Sequence, residues 1–259
     1  MGFGYATLAY EVRQRLDTEM ARRGLVLSRE KAQRLIMAGL VRVNSRPAAK
    51  PDLRVDSATS IAVVGPAAEY ASRGAYKLLA GIDHFAVEVA GRLALDVGAS
   101  TGGFTDVLLR RGAAHVVALD VGYGQLAERL RTDNRVTVID RTNVRYVTAA
   151  TLPYSPELIV ADTSFISLKL VLPVIVRVAA AGANIIVLIK PQFEVGKGMV
   201  GKGGIVRDQL VRLRAVDEVL DTARALGLEA PGIIESPIQG ASGNHEFLAH
   251  LRQRATNAA

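Results

Sequence analysis

Leu95-Asp96-Val97-Gly98-Ala99-Ser100-Thr101-Gly102-Gly103-Phe104 joins an apolar run to a helical pattern through a turn rich in glycine. The run that begins at Leu93 predicts a short buried strand, and the stretch 103–111 carries apolar residues at helical spacing. Gly98, Gly102 and Gly103 allow a tight turn between the two and let the backbone approach a ligand closely. The same alternation recurs along the chain. Val116–Asp120, Val136–Asp140, Leu158–Asp162 and Ile185–Ile189 are further apolar runs, with helix-like stretches at 124–131 and 168–180 between them. Repeated strand–helix units predict an α/β domain whose largely parallel sheet is wrapped by helices. Ligands of such sheets bind beyond the carboxyl ends of the strands, where several of these runs place an Asp.

The strand-end carboxylates indicate the kind of ligand. Asp120 is placed to accept hydrogen bonds from two ribose hydroxyls, and Asp140 to meet an adenine amino group. A glycine turn with carboxylates at these intervals predicts an adenosyl cofactor, held by Asp96, Gly98, Ser100, Gly102, Gly103, Phe104, Asp120, Asp140 and Asp162. Phe104 suits the core or the pocket lining. Two rival motifs are weaker. Gly98 to Gly102 also spells the G-x-S-x-G elbow of hydrolases, with Asp162 and His245 following in hydrolase order. No His-Gly-Gly segment precedes it, and a hydrolase has no use for Asp96 or Asp120. Gly196 to Gly203 approaches the phosphate-binding loop G-x-x-x-x-G-K-[ST], but Gly203 lacks the hydroxyl that would hold magnesium. It reads as a basic loop over an RNA strand or as a plain surface loop. The nicotinamide fingerprint needs glycine where Ser100 stands.

Composition narrows the classes further. The 259 residues hold 32 Lys and Arg against 25 Asp and Glu, four His and no Cys. A disulfide scaffold, a thiolate metal site and a cysteine nucleophile are excluded, and no metal site is expected from so few histidines. The longest uncharged stretch of the most apolar region, Val178–Ile189, has 12 residues, short of the ~20 that span a bilayer. The start of the chain shows no basic region before an apolar run. The expectation is a cytoplasmic protein without stable membrane association; composition assigns no oligomeric state.

Charge is concentrated at one end. Residues 1–65 carry 11 Lys and Arg against 6 Asp and Glu, a net +5 of the chain's +7, which predicts a module that meets a polyanion. A helical period runs through Leu8, Val12, Leu16 and Met20 to Gly24, and Ser28 is placed to cap a second helix with Ala32, Leu35 and Ile36, closed by Gly39. Val41–Val43 and Ile61–Val64 alternate as strands, with a turn at Asn44-Ser45-Arg46-Pro47. Arg15, Arg22, Arg23, Arg29, Lys31, Arg34 and Arg42 are candidates to track phosphates, joined by Arg73 further on. This segment resembles the small RNA-binding module of a small-subunit ribosomal protein, pseudouridine synthases and bacterial tyrosyl-tRNA synthetases. The predicted organisation is a module over 1–65, a linker over 66–74 and a larger domain over 75–259.

Four further stretches carry the strongest resemblance. Ser72-Arg73-Gly74-Ala75-Tyr76-Lys77, Val160-Ala161-Asp162-Thr163-Ser164-Phe165, Leu188-Ile189-Lys190-Pro191-Gln192-Phe193-Glu194 and Gly243-Asn244-His245-Glu246-Phe247 resemble the Lys-Asp-Lys-Glu tetrad of ribose 2'-O-methyltransferases. Together with Asp-x-Gly-x-Ser-x-Gly-Gly and the basic module, the chain resembles the TlyA family of rRNA cytidine-2'-O-methyltransferases, also known as haemolysins, from residue ~13 to ~252. The resemblance implies a seven-stranded Rossmann-like, FtsJ-like domain with its last strand reversed, S-adenosylmethionine as cofactor, and ribosomal RNA or ribosomal subunits as partner. It implies Lys77, Asp162, Lys190 and Glu246 as the catalytic group, with Lys190 taking the hydroxyl proton, Lys77 steadying the alkoxide or a phosphate, and the carboxylates orienting both lysines. The chemistry suits these residue types, because a ribose hydroxyl is a poor nucleophile until a base removes its proton. Two other classes stand beside this reading. A membrane-active haemolysin needs a spanning or amphipathic assembly segment, which is not evident, and a non-catalytic RNA-binding protein would keep the fold without the reaction.

Overall fold

A computed structural model describes residues 13–23, 25–26, 28–37, 39–48, 50–63, 70–240 and 243–254. They form two compact units, within 1–69 and 70–259.

The first unit contains β1 (Gln14–Arg15), α1 (Leu16–Arg22), α2 (Arg29–Met37), β2 (Val41–Val43), β3 (Arg46–Pro47), β4 (Arg54–Val55) and β5 (Ile61–Val63). Strands β3, β2 and β5 form one antiparallel sheet, and β1 pairs with β4. Asn44 and Ser45 both take positive φ, as a tight hairpin between β2 and β3 demands. Leu16, Met20, Ala32, Ile36, Val41, Ala48 and Val55 make the core. The Ser28 hydroxyl accepts the Lys31 amide at 3.2 Å, the expected cap of α2. The first helix differs from the periodicity reading. Leu8, Val12 and Gly24 lie outside the described residues, and α1 begins only at Leu16 because Gln14–Arg15 is drawn into pairing with Arg54–Val55. Its first two amides are satisfied by backbone, Leu16 donating to the Leu53 carbonyl and Asp17 to that of Pro51, and the Thr18 amide donates to the Asp17 side chain at 2.9 Å.

The second unit runs α3 (Ala75–Phe85), β6 (Leu93–Val97), α4 (Gly103–Arg110), β7 (His115–Leu119), α5 (Glu128–Arg131), β8 (Val136–Ile139), β9 (Leu158–Ala161), α6 (Leu168–Val178), β10 (Asn184–Ile189), α7 (Pro191–Glu194), α8 (Gln209–Ala225), β11 (Glu229–Glu235) and β12 (Phe247–Arg252). Its seven strands lie in the order β11-β12-β10-β9-β6-β7-β8. The pairs from β10 through β9, β6 and β7 to β8 are parallel, and β12 is antiparallel to both β10 and β11. The last strand is thus reversed, as the family resemblance implied. The helical pattern at 124–131 yields only Glu128–Arg131, because Gly124 takes φ +63° and donates its amide to Asp140.

Strand side chains alternate between two cores. Leu95, Val97, Ile159, Ala161, Ile185, Val187, Ile189, Ala249 and Leu251 pack with α6 and α8. Ala94, Leu158, Val160, Ile186, Leu188 and Leu248 pack with α3 and α4. Continuing this two-residue period puts Asp96, Asp162, Lys190 and Glu246 on the α3 side of the sheet.

Candidate active site

The glycine turn after β6 is held against the end of β9. Gly98 has φ +86°, and a Cβ there would stand 2.6 Å from the Asp162 carbonyl oxygen, so both conformation and space require glycine. A Cβ on Gly103 would meet the Ser72 hydroxyl and stand 3.1 Å from the Ala75 nitrogen, so α4 starts in close contact with the entry to α3. Asp96 is fully buried; its Oδ2 accepts the Thr105 hydroxyl at 2.6 Å, and its Oδ1 has no partner among the described residues. Burial pushes its carboxyl up to about 7, with the Thr105 bond opposing and Asp162 and Asp120 adding to the rise. Asp96 therefore braces the turn from beneath.

At the next strand ends, Asp120 accepts the Ser100 amide at 2.8 Å and the Gly122 amide at 2.7 Å. Asp140 accepts the Gly124 amide at 3.0 Å. Each oxygen used in this way keeps lone-pair capacity for a ligand hydroxyl or amine. Ser100 is exposed with φ +48°, Gly102 forms the left-handed cap of α4, and Phe104 is buried in the core beside α3. Of the predicted cofactor residues, then, Ser100, Asp120 and Asp140 line an accessible rim, whereas Asp96, Gly102, Gly103 and Phe104 lie behind it.

The four residues of the tetrad form two ion pairs on neighbouring elements. Lys190, 8% exposed, directs Nζ to Asp162 Oδ1 at 2.6 Å and to the Ser164 hydroxyl at 3.0 Å. Lys77, also 8% exposed, donates to Glu246 Oε2, and Glu246 is itself buried. The register explains the arrangement. Ala161 pairs with Val187 and Ile189 with Phe247, so Asp162 and Lys190 directly follow the ends of β9 and β10 while Glu246 directly precedes the start of the antiparallel β12. Helix α3 lies on the same face: a Cβ at Gly81 would be 3.5 Å from both Ile186 and Leu248, and one at Gly74 would be 3.8 Å from Asp162 Oδ2.

Beside the Lys190 pair, Phe165 is 92% exposed at φ +64°, with its ring 5.2 Å from that of Phe193. Two supporting residues carry no sequence signature. Buried Glu194 accepts the Leu168 amide at 2.8 Å and the Ser167 hydroxyl at 2.6 Å, tying the Phe165 turn to α7; burial raises its pKa. Buried Asp106 accepts Arg110, Arg129 and the Ala71 amide, residues scattered over the sequence.

The candidate phosphate contacts of the first unit divide sharply. Arg15 and Arg29 each lie 3.0 Å from buried Asp17, and Arg22 and Arg23 lie 2.6 and 2.7 Å from buried Glu19. Arg23 also donates to the Asp56 and Thr59 carbonyls. Their charge is largely spent inside the unit. Arg42 reaches the Ser45 carbonyl at 3.4 Å. Lys31 and Arg34, on α2, and Arg73, in the second unit, make no ion pair among the described residues.

Residues 70–253 match the FtsJ-like methyltransferase family and residues 14–61 the S4 domain. The chain is 51% identical, over 95% of its length and 92% of the relative's, to the 16S/23S rRNA (cytidine-2'-O)-methyltransferase TlyA of Mycobacterium tuberculosis. It is 40% identical to Hemolysin A of Brachyspira hyodysenteriae, over 92% of this chain and 99% of that one. A solved structure of a hemolysin-labelled protein from Streptococcus thermophilus superposes with a TM-score of 0.76 at 39% identity, covering 93% of this chain and 89% of that one.

Proposed function

The chain belongs to the TlyA family of FtsJ-like methyltransferases, and from that membership we propose that it transfers a methyl group from S-adenosylmethionine to the 2'-hydroxyl of a cytidine ribose in ribosomal RNA. The observation that carries the reading is the convergence of two buried lysine–carboxylate pairs, Lys190 with Asp162 and Lys77 with Glu246, at the carboxyl end of the sheet. The rim beside them fits the cofactor. Asp120 and Asp140 offer acceptors to the ribose and adenine, Gly98 brings backbone against the end of β9, and the concentration of carboxylates suits a ligand with two cationic groups. When bound, S-adenosylmethionine supplies an electrophilic methyl on a sulfonium.

The remaining work falls to this chain's own side chains. Lys190 Nζ, ion-paired with Asp162 at 2.6 Å in the resting site, first releases a proton to solvent and then takes that of the 2'-hydroxyl, and Asp162 pairs the ammonium that this restores. Ser164 fixes the direction of Nζ. Lys77, oriented by Glu246, stabilises the alkoxide left on O2' or the adjoining phosphate. The exposed Phe165 ring offers a stacking face to a base lifted out of the RNA stack. Helix α2 of the S4 domain, with Lys31 and Arg34 unpaired, supplies the electrostatic grip on the RNA backbone. Work on ribosomal RNA puts the enzyme in the cytoplasm. Among the described residues, no helix is long and apolar enough to cross a membrane.

The test is transfer of radiolabelled methyl to unmodified ribosomal subunits and naked rRNA, with Lys190→Ala alongside. Label recovered in ribose and lost with the variant, while cofactor binding persists, is the expected outcome. Wild-type rate in Lys190→Ala would remove Lys190 from the reaction, and cofactor binding without any transfer would leave an RNA-binding protein.

A further inference from the structure

Asn244 is one of few buried uncharged polar side chains in the chain, and the reaction as derived leaves it without a task. Its Oδ1 accepts the Val206 amide at 3.0 Å and its Nδ2 donates to the Gly204 carbonyl at 2.8 Å. Only this amide orientation satisfies both partners, since the reverse would set donor against donor and acceptor against acceptor. The Asn244 carbonyl accepts the Gly240 amide at 2.9 Å, and a Cβ on Gly240 would collide with Glu246 Oε1. Two residues after Asn244 stands Glu246, the partner of Lys77. On the other side, Gly204 and Val206 end the loop that follows α7, and α7 begins directly after Lys190.

A continuous line of connections results: Lys190, α7, the glycine-rich loop, Val206, Asn244, Glu246, Lys77. The β10–β12 ladder holds the strands in register but stops at Ile189 and Phe247, one residue short of Lys190 and Glu246. Beyond that point, among the described residues, the side-chain bonds of Asn244 tie the loop to the Glu246 segment, while the Glu246 carbonyl also accepts the Ser236 amide at 2.8 Å. We propose that Asn244 is a positioning residue for the methyl transfer, clamping the loop after Lys190 to the segment that carries Glu246 and so holding the two lysine–carboxylate pairs in mutual geometry. The proposal rests on the methyltransferase reading.

The test compares the full-length wild type with Asn244→Ala, Asn244→Asp and Gly204→Ala. A side chain at Gly204 has open space, but φ +76° strains it, so Gly204→Ala disturbs the carbonyl that Asn244 holds while leaving the Asn244 side chain intact. In Asn244→Ala, the single-turnover rate of rRNA methylation is expected to fall at least about tenfold, while the Kd values for S-adenosylmethionine and rRNA change less than about threefold. Asn244→Asp keeps the acceptor for Val206 but sets a carboxylate against the Gly204 carbonyl. Its deficit relative to wild type should therefore shrink between about pH 8.5 and about pH 6, as protonation restores the donor. The double variant of Asn244→Ala with Gly204→Ala should lose less than the product of the two single losses. Hydrogen exchange without cofactor gives an independent reading: the Val206 and Phe247 amides should lose protection together in Asn244→Ala. Unchanged exchange overturns the clamp whether or not RNA is methylated. A rate loss matched by lost RNA or cofactor affinity, or multiplicative losses in the double variant, reduces Asn244 to a structural part and overturns the proposal. A wild type that transfers no methyl to rRNA, with exchange coupling intact, overturns the methyltransferase reading and the positioning role with it.

Discussion

Asp96 shows how a buried side chain reports on its surroundings. Its carboxyl, pushed up to about 7 by burial, is protonated in the folded chain over a range where the unfolded chain has already released the proton. The folded state binds more protons between about pH 4 and about pH 7, so this residue's contribution to stability falls as pH rises through that window. Urea denaturation of Asp96→Asn should show the difference: a stability that declines less across the window than that of the wild type, by a few kcal/mol. Parallel pH profiles for the two proteins would refute the assignment. At this scale the sequence was partly legible. Asp120 and Asp140 announce themselves because each closes an apolar run, Asp96 because it interrupts one just before the glycine turn, and the tetrad because its flanking residues are distinctive. Glu194, Asp106 and Asn244 do not. Their partners stand 26 to 40 residues away for Glu194 and Asn244, and as far as 35 for Asp106, so no local pattern marks them.

Among elements, the pairing of α1 with α2 depends on one carboxylate. Asp17 is fully buried and accepts bonds from Arg15, Arg29 and Gln33, the last at 2.7 Å, so it pins the two helices together. The Arg15 bond leads in holding its carboxyl well below the usual range, and burial works the other way. Replacing it with Ala removes the shared acceptor of Arg15, Arg29 and Gln33; because both guanidinium groups are partly exposed and can turn to water, the loss falls below the about 3–5 kcal/mol of a fully buried pair. Hydrogen exchange should show the α1 amides opening in Asp17→Ala while those of β6 and β10 are unaffected; uniform protection across both units would refute this. The strands were readable to within a residue because uninterrupted Val, Ile and Leu leave few alternatives. The edge strand β11 was not, since Pro231 and Gly232 interrupt its pattern and its pairing partner β12 supplies the order. Nor was β1, whose two residues become a strand only through Arg54–Val55, far along the chain.

For the whole molecule, charge and chemistry are assigned to different units. The excess of basic residues lies in the first, yet four of its candidate arginines are engaged with Asp17 and Glu19, leaving Lys31 and Arg34 as the free charges on α2. Lys31→Glu with Arg34→Glu should weaken rRNA binding and flatten its salt dependence by roughly two counterions, while the methylation rate at saturating RNA holds. A double variant that loses rate at saturation but keeps its affinity would assign those residues elsewhere. Arg23→Ala should instead act through stability, since Arg23 holds the Asp56 and Thr59 carbonyls. The alternation of strand side chains between the two cores has an evolutionary consequence. A lineage can lengthen the connections between β9, β10 and β12 and keep its chemistry, because each strand end still delivers its residue to the same face. A single residue inserted within β9 or β10 reverses parity downstream, driving Asp162 or Lys190 into the oil beneath α6 and α8. Descent can therefore vary the spacing of the catalytic group freely, but not the odd-or-even count along each strand.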